Sequence, residues 1–299
     1  DRQVFKKFSE NTGIKVRLIE ATGITLIERL KREGKNSNAD VILLVDAARI
    51  NNAAKEGLLA PIQSEQIKKN VPARYRDPGN QWFGLTRRVR AIIVNPKLVD
   101  PNSIKTYADL ANINLRGKLC LRKRKNVYNQ SLVADQIVLK GQTNATNWVK
   151  NMVANVNQPF FGGDTSLIRA VGQGKCAVGV VNHYYLARMQ AGASGKNDQQ
   201  LTKSIKLIMP NPAHVNISAA GMAKSAKNKK EAIALITYLT SSKGSSSIAG
   251  PTYEYPLNGF GTSSQLEAFG RFNPDNVSIS KLGESQKLAI QIMANNGWR

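Results

Sequence analysis

The stretch that decides the fold is residues 82–96, WFGLTRRVRAIIVNP. Its apolar and β-branched residues predict one long strand-rich segment. A second stretch, residues 215–223 with the sequence VNISAAGMA, lies where the chain would return after an inserted middle domain. We interpret both stretches as crossings between two lobes. They predict a first lobe formed by residues 1–91 plus 218–299 and a second lobe formed by residues 92–217.

Strands and helices alternate in the part of the chain that precedes the first crossing. Ile14–Ile19 alternates apolar and charged residues, which predicts a half-buried strand, and Thr25–Lys31 has the apolar spacing of a helix. Residues 39–45 form a continuous apolar run, typical of a strand buried on both faces of a parallel sheet. Asp46 then begins another helix, which Gly57 ends. This alternation predicts an α/β protein.

Two strand ends in the predicted second lobe are followed by tyrosines. Tyr184 and Tyr185 come directly after the apolar run 177–181, and Tyr128 follows the strand-like residues 118–121. Because the backbone turns where a strand meets a helix, adjacent side chains can converge there, whereas they diverge by about 100° inside a regular helix. An isolated pair of tyrosines would usually be core aromatics. The third tyrosine and the polar neighbours of the pair favour a binding site.

The chemistry of phenol predicts which ligand such a site would hold. Phenolate oxygen is a hard anionic donor, and a strongly Lewis-acidic cation lowers the pKa of the phenol from its usual value near 10. Three phenolates neutralise a trivalent ion. Softer metals prefer thiolate or imidazole, and calcium or magnesium would need carboxylates, which are scarce in these segments. The pattern predicts Fe(III), with Fe(II) as a second oxidation state whose excess negative charge an arginine would offset.

Several polar residues flank the tyrosines. Arg188 is spaced i,i+4 from Tyr184 and so shares its helix face. Arg88, on the first crossing, faces either the site or solvent. We interpret His183 as a structural hydrogen-bonding residue rather than a fourth ligand. Residues 162–165, GGDT, are either an anion-binding or supporting segment or a simple turn with a helix cap.

Cys120 and Cys176 are the only cysteines, and both lie in predicted strands just before the tyrosine motifs. They are either a disulfide or a pair of small buried residues. Two cysteines alone cannot form a tetrahedral zinc site. A disulfide would fit an oxidising compartment.

The charge of this 299-residue chain is strongly positive, since 43 Lys and Arg against 20 Asp and Glu give +23. Nucleic-acid binding is not expected, because the basic residues are spread along the chain, only residues 122–125 form a dense cluster, and aromatic content is 6%. A general basic surface, which either is attracted to anionic envelopes or simply keeps the chain soluble, explains the charge better. No apolar run approaches the ~20 residues of a membrane span. The common hydrolase, metalloprotease and phosphate-loop motifs are absent, and with two histidines the sequence does not indicate an enzyme.

The chain resembles the periplasmic ferric iron-binding proteins of ABC importers. The resemblance covers nearly the whole sequence in order and is carried by Ala39–Val41, Gly57–Pro61, Trp82–Leu85, Tyr107–Leu110, Asn182–Tyr185, His214–Ser218 and Tyr253–Pro256. It implies a two-lobed periplasmic binding protein of type II, with the crossing strands as its hinge. It also implies a monomer that closes on iron and delivers it to an ABC-type permease in the inner membrane.

The resemblance places the family's tandem tyrosine ligands on Tyr184 and Tyr185, a third on Tyr128 and an arginine on Arg188. Members of the family begin with a further strand and a loop that supplies a His or Tyr ligand, and Asp1 corresponds to a position after that loop. A first-lobe ligand is therefore expected from outside the printed sequence. Asp46 lies near a position where some relatives use a carboxylate, but it is one methylene shorter than Glu. The alternative function is the same fold binding a small anion or an organic solute.

Overall fold

The computed structural model describes residues 2–261 and 263–299. Its helices are α1 (Arg2–Thr12), α2 (Gly23–Glu33), α3 (Ala47–Lys55), α4 (Glu65–Asn70), α5 (Val127–Lys140), α6 (Gln142–Ala154), α7 (Asp164–Gly172), α8 (His183–Gln190), α9 (Lys196–Thr202), α10 (Lys229–Thr240), α11 (Ser242–Thr252), α12 (Ser264–Phe269) and α13 (Ile279–Asn295). Its strands are β1 (Val41–Val45), β2 (Leu59–Ala60), β3 (Phe83–Val94), β4 (Leu119–Cys120), β5 (Val178–Asn182), β6 (Lys206–Ile208), β7 (Val215–Ala223) and β8 (Tyr255–Pro256). The chain is therefore α/β, as predicted.

The chain divides into two compact units. Unit 1 comprises the residues up to Arg87 together with Ile217–Gly261 and Ser278–Gly283. Unit 2 comprises Arg88–Asn216, residues 263–277 and Glu284–Arg299. The division falls inside β3 and inside β7, the two stretches that the sequence predicts as crossings.

The end of the chain is distributed differently from the sequence-based division, which placed all of residues 218–299 in the first lobe. Residues 263–277 and Glu284–Arg299 belong to unit 2. The reason is the packing of α13 and the residues after it, because the buried side chains Ala289, Ile292 and Trp298 are part of the unit 2 core. An amphipathic helix shows in its sequence which face is buried, but not which core receives that face.

In unit 1 the strands pair in antiparallel fashion. β1 pairs with β7 in a register that places Val41 opposite Met222, and β2 also pairs with β7. β8 pairs with the beginning of β3. The expectation that residues 39–45 are buried on both faces of a parallel sheet is wrong. The side chains of β1 alternate between more and less buried positions, and Val45 is 39% exposed.

The strand predicted over Ile14–Ile19 does not form. Residues 13–22 have no regular structure, and Leu18 and Ile19 are 43% and 60% exposed. Alternation of apolar and charged residues describes side chains, but a strand also needs a neighbouring strand for its backbone hydrogen bonds. Among the residues that the structure describes, none pairs with this segment as a strand.

The unit 2 sheet positions the tyrosine segments. β5 is buried along its whole length and lies between β3, which is antiparallel to it, and β4, which is parallel. β6 pairs with β3 as well. The structure joins Cys120 at the end of β4 to Cys176 just before β5 in a disulfide, one of the two alternatives left open by the sequence. Because β4 and β5 run parallel, the chain leaves both strands at the same edge of the sheet, where α5 and α8 follow.

Within the described residues, no helix combines the length and the apolar character that crossing a membrane requires.

Candidate metal site

The junction between β5 and α8 brings Tyr184 and Tyr185 together. Asn182 is the last residue of β5 and has extended backbone angles, and α8 begins at His183. The two tyrosines fall in the first turn of that helix, with ring centroids 4.5 Å apart. The Asn182 side-chain amide donates to the Tyr184 hydroxyl at 3.3 Å. The adjacent phenols therefore converge, as the sequence predicts for a strand-to-helix junction.

Tyr128 reaches the same place from the other strand end. The Asn126 side chain accepts a hydrogen bond from the Tyr128 backbone N–H at 3.1 Å and so caps α5. The cap fixes Tyr128 in the first turn of the helix, and its hydroxyl oxygen lies 3.5 Å from that of Tyr184. Tyr184 is buried, whereas Tyr128 and Tyr185 are partly exposed. The three predicted tyrosines thus form one cluster in unit 2.

Two arginines lie against the Tyr128 ring. The guanidinium carbon of Arg88 is 5.3 Å from the ring centroid, and that of Arg122 is 5.7 Å from it. Arg88 is only 2% exposed, so it faces the cluster rather than solvent. Both cations lie at cation–π distance from a phenol whose ionised form they would stabilise. The sequence analysis did not assign Arg122 a role, although the basic run 122–125 beside Tyr128 was a usable signal.

Asp164 is a buried carboxylate that contacts two arginines and the end of β5. Its carboxylate lies 2.8 Å from Arg90 Nη1 and 3.4 Å from Arg122 Nη1, and it accepts the Asn182 backbone N–H at 3.2 Å. Arg90 also donates to the Asn129 side-chain oxygen at 2.8 Å. Residues 162–165 contain the beginning of α7, with Gly163 at its N-cap position, so the alternative of a helix start is confirmed. The Asp164 carboxylate also fixes the end of β5 and the Arg122 guanidinium.

The surroundings of Tyr185 keep its phenol protonated when no cation is bound. Burial raises the pKa of Tyr185, and the neighbouring phenol of Tyr128 raises it further, while a hydrogen bond with Tyr184 and the charge of Arg122 oppose this. Tyr185 therefore remains neutral at physiological pH. A cation that binds here as a phenolate complex must be a Lewis acid strong enough to displace the proton.

Two predicted neighbours of the tyrosines occupy different environments. His183 is fully buried, and its Nδ1 accepts the Val89 backbone N–H at 3.1 Å, which is the structural role that the sequence analysis favoured. Arg188 is exposed. Its role in offsetting charge stays a prediction.

Asp46, the carboxylate considered in the first lobe, is buried in unit 1. Its side chain accepts a hydrogen bond from the Ala48 backbone N–H at 3.1 Å and caps α3. The structure therefore gives this carboxylate a local role at the beginning of a helix.

This fold and this cluster of phenols define a solute-binding protein. The sequence profile of the family described as bacterial extracellular solute-binding protein matches residues 1–245. The chain belongs to that family.

Within the family, the chain is similar to proteins of iron uptake. It is 37% identical over 304 residues to Iron uptake protein A1 of Synechocystis sp., covering all of this chain and 84% of that protein. The structure of Trichodesmium FutA in complex with iron and citrate ligands matches it with a TM-score of 0.96 and 39% identity, over 100% of this chain and 96% of that one. The ferric binding protein from Campylobacter jejuni matches with a TM-score of 0.92 and 32% identity, with coverage of 100% and 96%.

Proposed function

We propose that this chain is a non-enzymatic periplasmic carrier of iron, which binds Fe(III) through the phenolates of Tyr128, Tyr184 and Tyr185. The observation that carries the proposal is the convergence of three phenol groups from two strand ends, linked by hydroxyl contacts and flanked by arginines. The names of the similar proteins, which refer to iron uptake and ferric iron, support the same ligand. We further propose that the chain delivers iron, as a monomer, to an ABC-type permease.

Charge balance explains why the ion would be ferric. Three phenolates cancel the charge of Fe(III), and ligands such as water or an anion complete its coordination. Reduction to Fe(II) leaves one excess negative charge, which Arg88 and Arg122 offset from their positions against Tyr128. The same site therefore tolerates both oxidation states, with Fe(III) as the preferred one.

The experiment that tests the proposal is a visible absorption titration of iron-stripped protein with ferric citrate. We expect a phenolate-to-iron charge-transfer band that saturates at about one equivalent of iron per chain. Absence of a band while ferric citrate still binds would favour the alternative function, in which the site holds an anion or an organic solute.

Tyr185→Phe is the variant that assigns the band, because it removes one phenol oxygen and leaves the ring. We expect it to abolish or strongly shift the band. Tyr238→Phe is the matched control, since Tyr238 lies in unit 1 and its buried hydroxyl has no hydrogen-bond partner among the described residues. A spectrum unchanged in Tyr185→Phe would remove Tyr185 from the ligand set.

A further inference from the structure

A second cluster of ligand-type side chains lies in unit 2, away from the tyrosine motifs. Asp135 belongs to α5, His214 comes directly before β7, and Asp275 lies between α12 and α13. The three residues are 1%, 2% and 5% exposed. One ligand atom from each lies within 4.8 Å of the other two. Three segments that are far apart in the sequence thus converge on one buried point.

Hydrogen bonds behind the cluster fix its two carboxylates. The Gln136 side-chain amide donates to Asp135 Oδ2 at 3.0 Å, and the Val277 backbone N–H donates to Asp275 Oδ1 at 2.7 Å. Each carboxylate is therefore held in place by a hydrogen bond from a residue outside the cluster. Support of this kind is typical of metal-binding carboxylates.

The backbone around the cluster is fixed as well. The Asp275 N–H donates to the Ala213 carbonyl at 3.0 Å, and the Ala213 N–H donates to the Asn273 carbonyl at 2.8 Å. The His214 N–H donates to the Tyr107 hydroxyl at 3.1 Å. These contacts hold His214 and Asp275 side by side, so the ligand atoms do not depend on a flexible loop for their positions.

Asp135 Oδ1 is the carboxylate oxygen that faces His214. This atom is buried and lies 3.3 Å from His214 Nδ1. Two buried carboxylates that lie close to each other repel when both are ionised, so they need a cation or a proton to balance their charge. Two ligands on a tetrahedral zinc ion with bonds of about 2.0–2.1 Å lie about 3.3–3.4 Å apart. The separation between Asp135 Oδ1 and His214 Nδ1 is therefore close to the one that a shared metal ion would give.

We propose that Asp135, His214 and Asp275 bind one divalent first-row metal ion, Zn²⁺ or one of similar coordination chemistry, as a structural site. Two carboxylates and one neutral imidazole suit such an ion in charge and donor type. The ion would tie α5, the beginning of β7 and the segment before α13 to one another. This site is distinct from the tyrosine cluster and independent of the proposed transport of iron.

The test uses a variant that lacks two phenols of the tyrosine cluster, so that any metal ion the protein retains is bound at another site. The untagged Tyr184→Phe/Tyr185→Phe chain is unfolded with a chelator and refolded with or without Co²⁺, a spectroscopic substitute for zinc. We expect about one equivalent of Co²⁺ to remain after gel filtration, with visible d–d bands, and we expect Zn²⁺ to displace it. The metal-loaded protein should also melt at a higher temperature than the metal-free protein, because the ion binds only the folded state.

Asp275→Asn in the same background should refold, as judged by circular dichroism, and should retain less than a tenth of the Co²⁺. Asp198→Asn is the matched control, since it removes a carboxylate of unit 2 that pairs with partly exposed Arg169, and it should retain the full equivalent. If Asp275→Asn does not fold, His214→Gln takes its place. Failure of the parent chain to retain metal, or equal retention by a folded cluster variant, would overturn the proposal.

Discussion

Each unit contains a strand that continues directly into a helix, and the two junctions use their polar residues differently. In unit 1, β1 ends at Val45, and the next residue, Asp46, turns its carboxylate to the backbone of α3. In unit 2, β5 ends at Asn182, whose side chain makes no capping hydrogen bond to α8. Instead it donates to the hydroxyl of Tyr184.

The difference shows how one backbone arrangement can stabilise a helix in one unit and, under the proposed function, present ligands in the other. The carboxylate beside the unit 2 junction comes from another helix, α7, and Asp164 pairs there with Arg90 and Arg122. The phenols of Tyr184 and Tyr185 are therefore the oxygen donors left at the helix end for the proposed cation. In that proposal, the buried ion pair supports the ligands without competing for the cation.

The largest expected effect comes from breaking that ion pair. Asp164→Asn leaves the buried guanidinium of Arg90 without its counter-charge, and removing one partner of a buried pair costs about 3–5 kcal/mol. We expect the free energy of unfolding, measured by urea denaturation, to fall by about this amount. The charge-transfer band should weaken as well, because Asn182 and Arg122 lose the group that positions them.

Asp198→Asn is the control for this prediction. Asp198 is itself buried, but it pairs with Arg169, whose side chain is 48% exposed, so solvent screens the pair and its loss should cost about 0–1 kcal/mol. Equal losses in the two variants would show that the Asp164 pair is no more important to unit 2 than a surface contact.

Much of the fold could be predicted from the sequence because the longest elements have strong local patterns. The crossing predicted over residues 82–96 contains β3, and the second crossing coincides with β7. The sequence-based predictions that were wrong concern contacts between distant segments. The Ile14–Ile19 alternation gave no information about a partner strand, and the amphipathic pattern of α13 did not show that it packs in unit 2.

The residues of the candidate site also fall into those that could be predicted from the sequence and those that could not. The three tyrosines could be located from the ends of two strands, since each follows its strand closely in the sequence. Their supporting network could not, because Arg90 and Asp164 are 74 residues apart and meet only in the folded chain. Arg188 shares a helix face with Tyr184, and its long charged side chain is exposed to solvent, so its charge-offsetting role stays a prediction.

An effect of intermediate size is expected for the release of protons when iron binds. Burial and the phenol of Tyr128 raise the pKa of Tyr185, so under the proposed function this group would bind iron only by releasing a proton. Three phenols should release about three protons per iron, and the affinity should therefore fall steeply as the pH is lowered. The measurement is proton release in a pH-stat on adding ferric citrate, corrected for the protons exchanged by citrate itself.

Tyr128→Phe sharpens this measurement by removing one of the phenols. If the variant still binds iron, it should release one proton fewer than the wild-type chain, while Tyr238→Phe should release the wild-type number. An unchanged count in Tyr128→Phe would mean that Tyr128 remains a protonated neighbour and is not a ligand.

The smallest expected effect lies at the unit 1 junction. Asp46→Ala removes the cap of α3 and places alanine at a backbone φ of 85°, so we expect a loss of about 1–2 kcal/mol in the free energy of unfolding. Asp46→Asn should be nearly neutral, because asparagine caps helices as well as aspartate does and tolerates positive φ. Both variants should keep the charge-transfer band, since a carboxylate that caps a helix is not needed as an iron ligand. Loss of the band in the folded Asp46→Asn variant, measured by the same ferric citrate titration, would show that both junctions supply ligands and that the contrast between them is false.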